Sequence, residues 1–123
     1  ELNENYRNAL EKLGLKVMHH YTDEMTSTGH LYLVRIPGAT IDDRNAVIQD
    51  MAEREIACNV HYKPLPMMTA YKNLGFDIKD YPNAYHQYEN LISLPVFSTM
   101  TDKQNEYVIE NFVDSLKKRG LIK

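Results

Sequence analysis

His61 is the side chain whose setting points most directly to chemistry. It stands with Asn59 on one face of the run from Ile56 to Tyr62, which reads as a strand, and the chain leaves that run into a loop constrained by Pro64. An imidazole beside an amide at a strand end has the geometry of a pocket residue and can donate to, or accept from, a bound ligand. The other reading, a sheet-edge histidine satisfied by a nearby carbonyl, stays open beside it. Tyr62 alternates to the opposite face with Ile56, Cys58 and Val60, where a core residue belongs.

Other constellations carry less. Cys58 and His61 are separated by two residues, as are His86 and Glu89, and metal sites use that spacing. On an extended strand, however, positions three apart face opposite ways, and no Cys-x-x-Cys or His-rich partner is present, so no metal site is read here. His19 and His20 would likewise diverge, and a solvated strand end accounts for them. Cys58 lacks the neighbouring base and oxyanion site of a nucleophile and reads as a small buried residue. The glycines at 14, 29, 38, 75 and 120 are too scattered for a phosphate-cradling loop.

These residues depend on the elements that hold them. Leu2, Tyr6, Ala9, Leu10 and Leu13 recur at helical spacing and Gly14 follows where a left-handed cap is needed, so residues 3–13 are expected to be an amphipathic helix. His30 to Ile36 is rich in strand formers and runs into the Pro37-Gly38 turn, the pattern of a mostly buried strand. Thr40 or Asp42 can cap a helix over 42–55, with Ile48, Met51 and Ala52 inward and Asp50 paired with Arg54 on the outside. Ile56 to Tyr62 is the next strand. Pro64, Pro66, Gly75 and Pro82 then punctuate a Tyr-rich stretch, leaving room for short helices over about Met67–Leu74 and Pro82–Glu89. Leu91–Leu94 reads as a short strand stopped by Pro95. Thr101 and Gln104 form a capping-box pair that opens a helix over 102–119, whose buried stripe is Val108, Ile109, Phe112, Val113 and Leu116. Lys117, Lys118 and Arg119 fall in its last turn, where positive charge complements the helix dipole. Helices and strands alternate without internal repeats. The fold class is therefore α/β in its two-layer α+β form, a small mixed or antiparallel sheet with helices packed on it.

Composition narrows the function classes. The 123 residues fit one domain, 1–123, and 43% hydrophobic with 25% charged residues is a globular balance. The longest uncharged stretch, Asn90 to Thr101, is broken by Pro95 and falls far short of the roughly 20 apolar residues that span a bilayer. A net charge of −3, with the one dense basic cluster at a helix end, argues against a nucleic-acid or anionic-lipid partner. A single cysteine and no signal-peptide pattern favour a cytoplasmic setting. The chain opens on Glu1, not Met, directly before a helix pattern, and is expected to be a piece of a longer protein. Nine Tyr against three Phe and no Trp suit pockets and interfaces as well as cores.

Three strings carry a resemblance. NVHYKPLP at Asn59 to Pro66, NLISLPVF from Asn90 and the capped helix TDKQNEYVIENF from Thr101 are similar to the C-terminal domain of the DegT/DnrJ/EryC1/StrS aminotransferases, and HLYLVRI from His30 extends the likeness upstream. The resemblance implies a pyridoxal-phosphate enzyme that transfers an amino group from an amino acid such as glutamate to a nucleotide-linked keto-sugar, in cell-surface polysaccharide or amino-sugar biosynthesis. It implies that this chain is the small C-terminal domain, as in fold-type I aminotransferases, closing over a cofactor held chiefly by a large N-terminal domain, usually in a homodimer. The Schiff-base lysine, the aspartate facing the pyridine nitrogen and the phosphate-binding groups belong to that large domain and would lie before Glu1. None of the nine lysines here matches the family's motif. The resemblance thus gives this chain no catalytic or cofactor-binding residue. Pyridoxal phosphate is not expected to bind it alone, and the chain alone is expected to be inactive. His61 and Tyr62 match the family's HY pair beside the sugar-nucleotide end of the cleft, and with Asn59 and Lys63 they are the expected substrate-binding set. Pro66 stands where many members have a histidine, which leaves a second histidine contact and the particular sugar undecided. The competing class is a non-enzymatic small-ligand-binding or regulatory α/β module, and a third is a domain serving mainly as an interface.

Overall fold

Three short strands carry the frame of the computed structural model, which describes every residue from Glu1 to Lys123. They are β1 (Lys16–Val17), β2 (Tyr32–Arg35) and β3 (Leu91–Leu94), joined in an antiparallel sheet of order β1-β2-β3. The register sets Tyr32 against Leu94, Leu33 against Ser93, Val34 against Ile92 and Arg35 against Leu91. Tyr32, Val34, Ile92 and Leu94 therefore share the core face, while Leu33, Arg35, Leu91 and Ser93 share the other.

Helix α1 (Leu2–Leu10) runs into a 3₁₀ turn, Glu11–Leu13, and Gly14 closes it at φ 81, the left-handed cap that the sequence calls for. Helix α2 (Ile41–Glu53) opens on Thr40, whose hydroxyl accepts from the Asp43 N–H while the Asp43 carboxylate accepts from the Thr40 N–H. Short helices α3 (Thr69–Asn73) and α4 (Pro82–Tyr88) follow, each preceded by a 3₁₀ turn, Leu65–Met67 and Ile78–Asp80. Helix α5 (Asp102–Lys118) carries the expected Thr101–Gln104 capping box. Tyr6 and Leu10 of α1, Val47 and Met51 of α2, and Val108, Phe112 and Leu116 of α5 pack with the core face of the sheet in one buried cluster. Each such side chain contributes roughly 1.5–3 kcal/mol of apolar burial.

The packing corrects several readings. The inward stripe of α2 is Arg44, Val47 and Met51, with Ile48 on its flank, and Ala52 is exposed. An arginine belongs to the stripe because its guanidinium finds carbonyl acceptors inside. Asp50 and Arg54 do not pair with each other. Arg119 grips Asp50 through Nε and Nη2, both at 2.7 Å, and the Ser115 hydroxyl donates to Asp50 at 2.7 Å. Arg54 reaches Asp114 at 2.8 Å and the Asn111 carbonyl at 3.0 Å. Both charges thus tie α2 to α5 instead of spanning one turn of α2. The basic cluster is a helix end, with Lys118 on Asp114 and Arg119 on Asp50. His20 is buried, not solvated. Its ring lies 5.5 Å from that of Tyr32, which lies 4.8 Å from Tyr6, and burial pushes the imidazole below its ordinary pKa. His19 does diverge, and bonds Glu11 at 2.8 Å.

The largest correction concerns Ile56 to Tyr62. It is not a strand but an extended passage with a single bridge, in which the Asn59 N–H donates to the Ser93 carbonyl at 3.1 Å and the Ser93 N–H to Asn59 at 2.8 Å. A longer antiparallel ladder would next pair Ala57 with Pro95 and His61 with Leu91. Pro95 has no N–H, and its carbonyl accepts from the Tyr6 hydroxyl at 2.7 Å. The Leu91 carbonyl is taken by Arg44 Nη1 at 2.9 Å. The bridge has nothing to extend into.

Candidate functional site

The chain reaches the candidate site through the end of α2. Glu55 sits at φ 60, the Glu55 N–H returns to Ala52 and the Ile56 N–H to Met51, a Schellman turn fastened by the buried pair Met51 and Ile56. Beyond it the backbone runs along the outer edge of β3, so that Ser93 becomes the contact point. Asn59 spends its side-chain oxygen on the Val60 N–H at 2.7 Å. Its amide nitrogen has no protein partner and is exposed.

His61 is held by Ser93, whose hydroxyl lies 2.7 Å from Nδ1. The open reading of a histidine bonded to a neighbouring carbonyl gives way to a side-chain hydroxyl rising from the outer face of β3. Ser93 itself is 4% exposed, while His61 is half-buried. Tyr62, expected in the core, is 71% exposed. The passage is not a regular strand at this point, and the His61–Tyr62 peptide bond is cis. The two rings meet edge to face at 4.6 Å. Lys63 is exposed and has no carboxylate partner. Asn59, His61, Tyr62 and Lys63 thus form one outward-facing run with free donors.

Beyond Lys63 the chain makes an excursion and returns to the same strand. Its exit is fixed by two arginines that sequence reading passed over. Arg44, fully buried, bonds the Leu91 and Tyr88 carbonyls at 2.9 and 3.3 Å and lies 4.8 Å from the Tyr88 ring centre. Arg35 bonds the Asn90 side chain at 3.0 Å and the His86 carbonyl at 2.7 Å. Both complement the carbonyl end of α4, as its dipole favours. The available signal was positional: Arg44 falls at i−3 from Val47 and i−7 from Met51 on the helical stripe.

Other candidates fall away. No three His, Cys, Asp or Glu side chains converge, and His86 bonds Glu89 at 2.9 Å on the surface. Burial pushes the Cys58 thiol up to about 12, which keeps it protonated and unreactive at neutral pH. A cleft of about 520 Å³ lies under Ile56, Ala57, Pro95, Phe97, Met100 and Tyr107, and Asn59, His61, Tyr62 and Lys63 do not line it. No helix is long and apolar enough to cross a membrane.

The arrangement of an N-terminal helix, small antiparallel sheet and capped C-terminal helix matches known proteins. The model of the DegT/DnrJ/EryC1/StrS aminotransferase family matches residues 1–113. This chain belongs to that family. The structure of Spr1654 from Streptococcus pneumoniae in its PMP form, a protein assigned by name to the sugar aminotransferases, superposes on it with a TM-score of 0.91 at 42% identity, covering 95% of this chain and 29% of that one. The spore coat polysaccharide biosynthesis protein SpsC of Bacillus subtilis is 27% identical over 117 residues, 91% of this chain and 30% of SpsC. The aminotransferase TlmJ from Streptoalloteichus hindustanus shares the fold, with a TM-score of 0.81 at 24% identity over 96% of this chain and 30% of TlmJ. This chain therefore spans about 30% of the length of the relatives it matches.

Lysine is the residue type that would hold pyridoxal phosphate covalently. All nine lysines are exposed, so none stands in the enclosed setting that an activated amine needs. The capping boxes of α2 and α5 engage the N–H groups of Thr40 and Asp43 and of Thr101 and Gln104 within the chain itself.

Proposed function

We propose that this chain is the small C-terminal domain of a pyridoxal-phosphate aminotransferase that moves an amino group from an amino acid to a nucleotide-linked keto-sugar. The large domain of the intact protein holds the cofactor, which supplies the electron sink for amino transfer. His61, Tyr62, Asn59 and Lys63 contact the nucleotide-sugar, and the enzyme works as a homodimer in polysaccharide or amino-sugar biosynthesis.

The observation that carries this reading is the presentation of the family's HY pair. In a chain of this family, Tyr62 faces out and His61 is fixed to β3 by one ring nitrogen, which leaves the other for a ligand. The resemblance to a sugar aminotransferase and the name of SpsC support the substrate class and the polysaccharide role. In the intact enzyme, His61→Ala should slow the half-reaction with the keto-sugar and raise its KM by about two- to tenfold, the loss of one neutral hydrogen bond. The half-reaction with the amino donor should hold its rate. Stopped-flow measurement of both separates the cases, and equal behaviour in both would remove His61 from the site. An upstream coding sequence without a lysine in the aminotransferase context would overturn the enzyme reading itself.

A further inference from the structure

We infer that Ser93 fixes the His61 imidazole in the tautomer protonated at Nε2, so that this histidine meets its ligand as a hydrogen-bond donor and selects an oxygen acceptor. The tautomer follows from the fold alone; what the donor meets rests on the reading of His61 as a substrate contact.

The argument is one of proton bookkeeping at a buried hydroxyl. Ser93 lies in β3 between β2 and the passage through Asn59, and its backbone N–H and carbonyl are both spent on Asn59. Its hydroxyl has one polar partner, His61 Nδ1, at 2.7 Å. Two arrangements are possible. If Nδ1 carried the proton, it would donate to the Ser93 oxygen, and the hydroxyl proton of a side chain that is 4% exposed would have no acceptor. If Nδ1 is the bare lone pair, the Ser93 O–H donates to it and no buried donor is left unmade. An orphaned buried donor carries the full desolvation penalty, whereas an oxygen with a spare lone pair carries far less. The second arrangement wins, and the proton sits on Nε2.

No protein group bonds Nε2, and the neighbourhood adds a second donor. Lys63 lies two residues on, exposed and without an acidic partner. An N–H two residues from an exposed ammonium without an acidic partner favours an oxygen-rich, anionic ligand over a donor such as an amine. The acceptor is an oxygen of the nucleotide-sugar, supplied either by its diphosphate or by a sugar hydroxyl.

The test uses the intact enzyme labelled with ¹⁵N-histidine, with His61 assigned through a His61→Gln variant. Long-range proton–nitrogen spectra should show Nε2 protonated and Nδ1 bare in the ligand-free enzyme at neutral to alkaline pH. A proton on Nδ1 would overturn the inference. In parallel, Ser93→Ala should raise KM for the nucleotide-sugar about two- to tenfold with the amino-donor half-reaction unchanged, and Ser93→Thr, which keeps the hydroxyl, should restore most of it. Competition by the bare nucleoside diphosphate identifies the acceptor. Inhibition weakened by the same factor points to a phosphate oxygen, and unchanged inhibition to a sugar hydroxyl. If His61→Ala raises KM but Ser93→Ala does not, the positioning role of Ser93 fails and the substrate contact stands. If His61→Ala has no effect, the substrate reading fails, and the spectra still decide the tautomer.

Discussion

Helix α5 and the excursion between Tyr62 and Tyr81 both carry large apolar side chains and use them oppositely. Val108, Phe112 and Leu116 recur at helical spacing and are all buried against α1, α2 and the sheet. Tyr62, Leu65, Met68, Leu74, Phe76 and Tyr81 are all exposed, and no residue from Tyr62 to Tyr81 is buried. The difference lies in what each has to pack against. The α5 stripe faces helices of the same chain, whereas the excursion contacts mainly itself, as in the Tyr71–Phe76 ring pair at 6.0 Å. The excursion thus leaves in solvent the kind of side chain that α5 buries.

The sharpest way to break this contrast is at its most buried member. Phe112→Ala should cost about 3–5 kcal/mol in denaturant unfolding of the chain, since it leaves a cavity in a core with few ways to collapse. A small change would mean that α5 is not the keystone of the body. Next in size is the joint between the two regions. Arg44→Met keeps most of the buried stem but removes the donors to the Leu91 and Tyr88 carbonyls. A cost of about 1–3 kcal/mol is expected, with limited proteolysis between Lys63 and Glu89 quickening more than global unfolding does. Equal acceleration in both would make Arg44 an ordinary core residue.

A smaller effect tests the body alone. Arg119 beside it, with help from the Ser115 hydroxyl, holds the Asp50 carboxyl down to about 2 from an ordinary 3.8. A carboxyl whose folded pKa is depressed stabilises above its unfolded pKa and loses that contribution as pH falls through the folded one. Stability from this pair should thus be complete above pH about 4 and vanish toward pH about 2. Because Arg119 is exposed, solvent screening keeps the effect small. Asp50→Asn should flatten that part of the acid unfolding curve, and an unaltered curve would show that the α2–α5 tie carries no charge-linked stability.

What was legible in the residues follows the same division. The caps were legible because their chemistry is local: Thr40 with Asp43, Thr101 with Gln104, and Gly14 in its left-handed turn need no partner from afar. The stripe of α5 was legible because one face is buried and the period shows, and the strands around Tyr32 and Ile92 through their strand-forming residues and the prolines that follow them. Ile56 to Tyr62 misled because its alternation is genuine, while strand pairing depends on groups remote in sequence, namely Pro95 without an N–H and a Leu91 carbonyl already claimed by Arg44. Of the candidate site, His61 and Asn59 could be picked out as a strand-edge pair, but their anchor Ser93 could not, since a serine within LISL carries no periodic signal. The Asp50–Arg54 spacing was equally ambiguous, satisfying an i,i+4 rule that the cross-helix partners on α5 outbid.

The smallest expected effect on stability is also the one that isolates the excursion. Leu74 is 74% exposed and closes α3, just before Gly75 turns the chain. Were it part of a core, truncation to a polar residue would cost several kcal/mol through lost burial. At this exposure there is little burial to lose, and Leu74→Ser should leave the unfolding midpoint of the chain unchanged within about 0.5 kcal/mol. The same substitution removes one of the largest apolar surfaces from the excursion, so any concentration-dependent self-association of the chain should weaken. Sedimentation velocity of both forms over a range of concentrations reads that directly. A destabilisation above about 1 kcal/mol would show that the excursion packs on the body after all, and would return Leu74 to the side of Phe112.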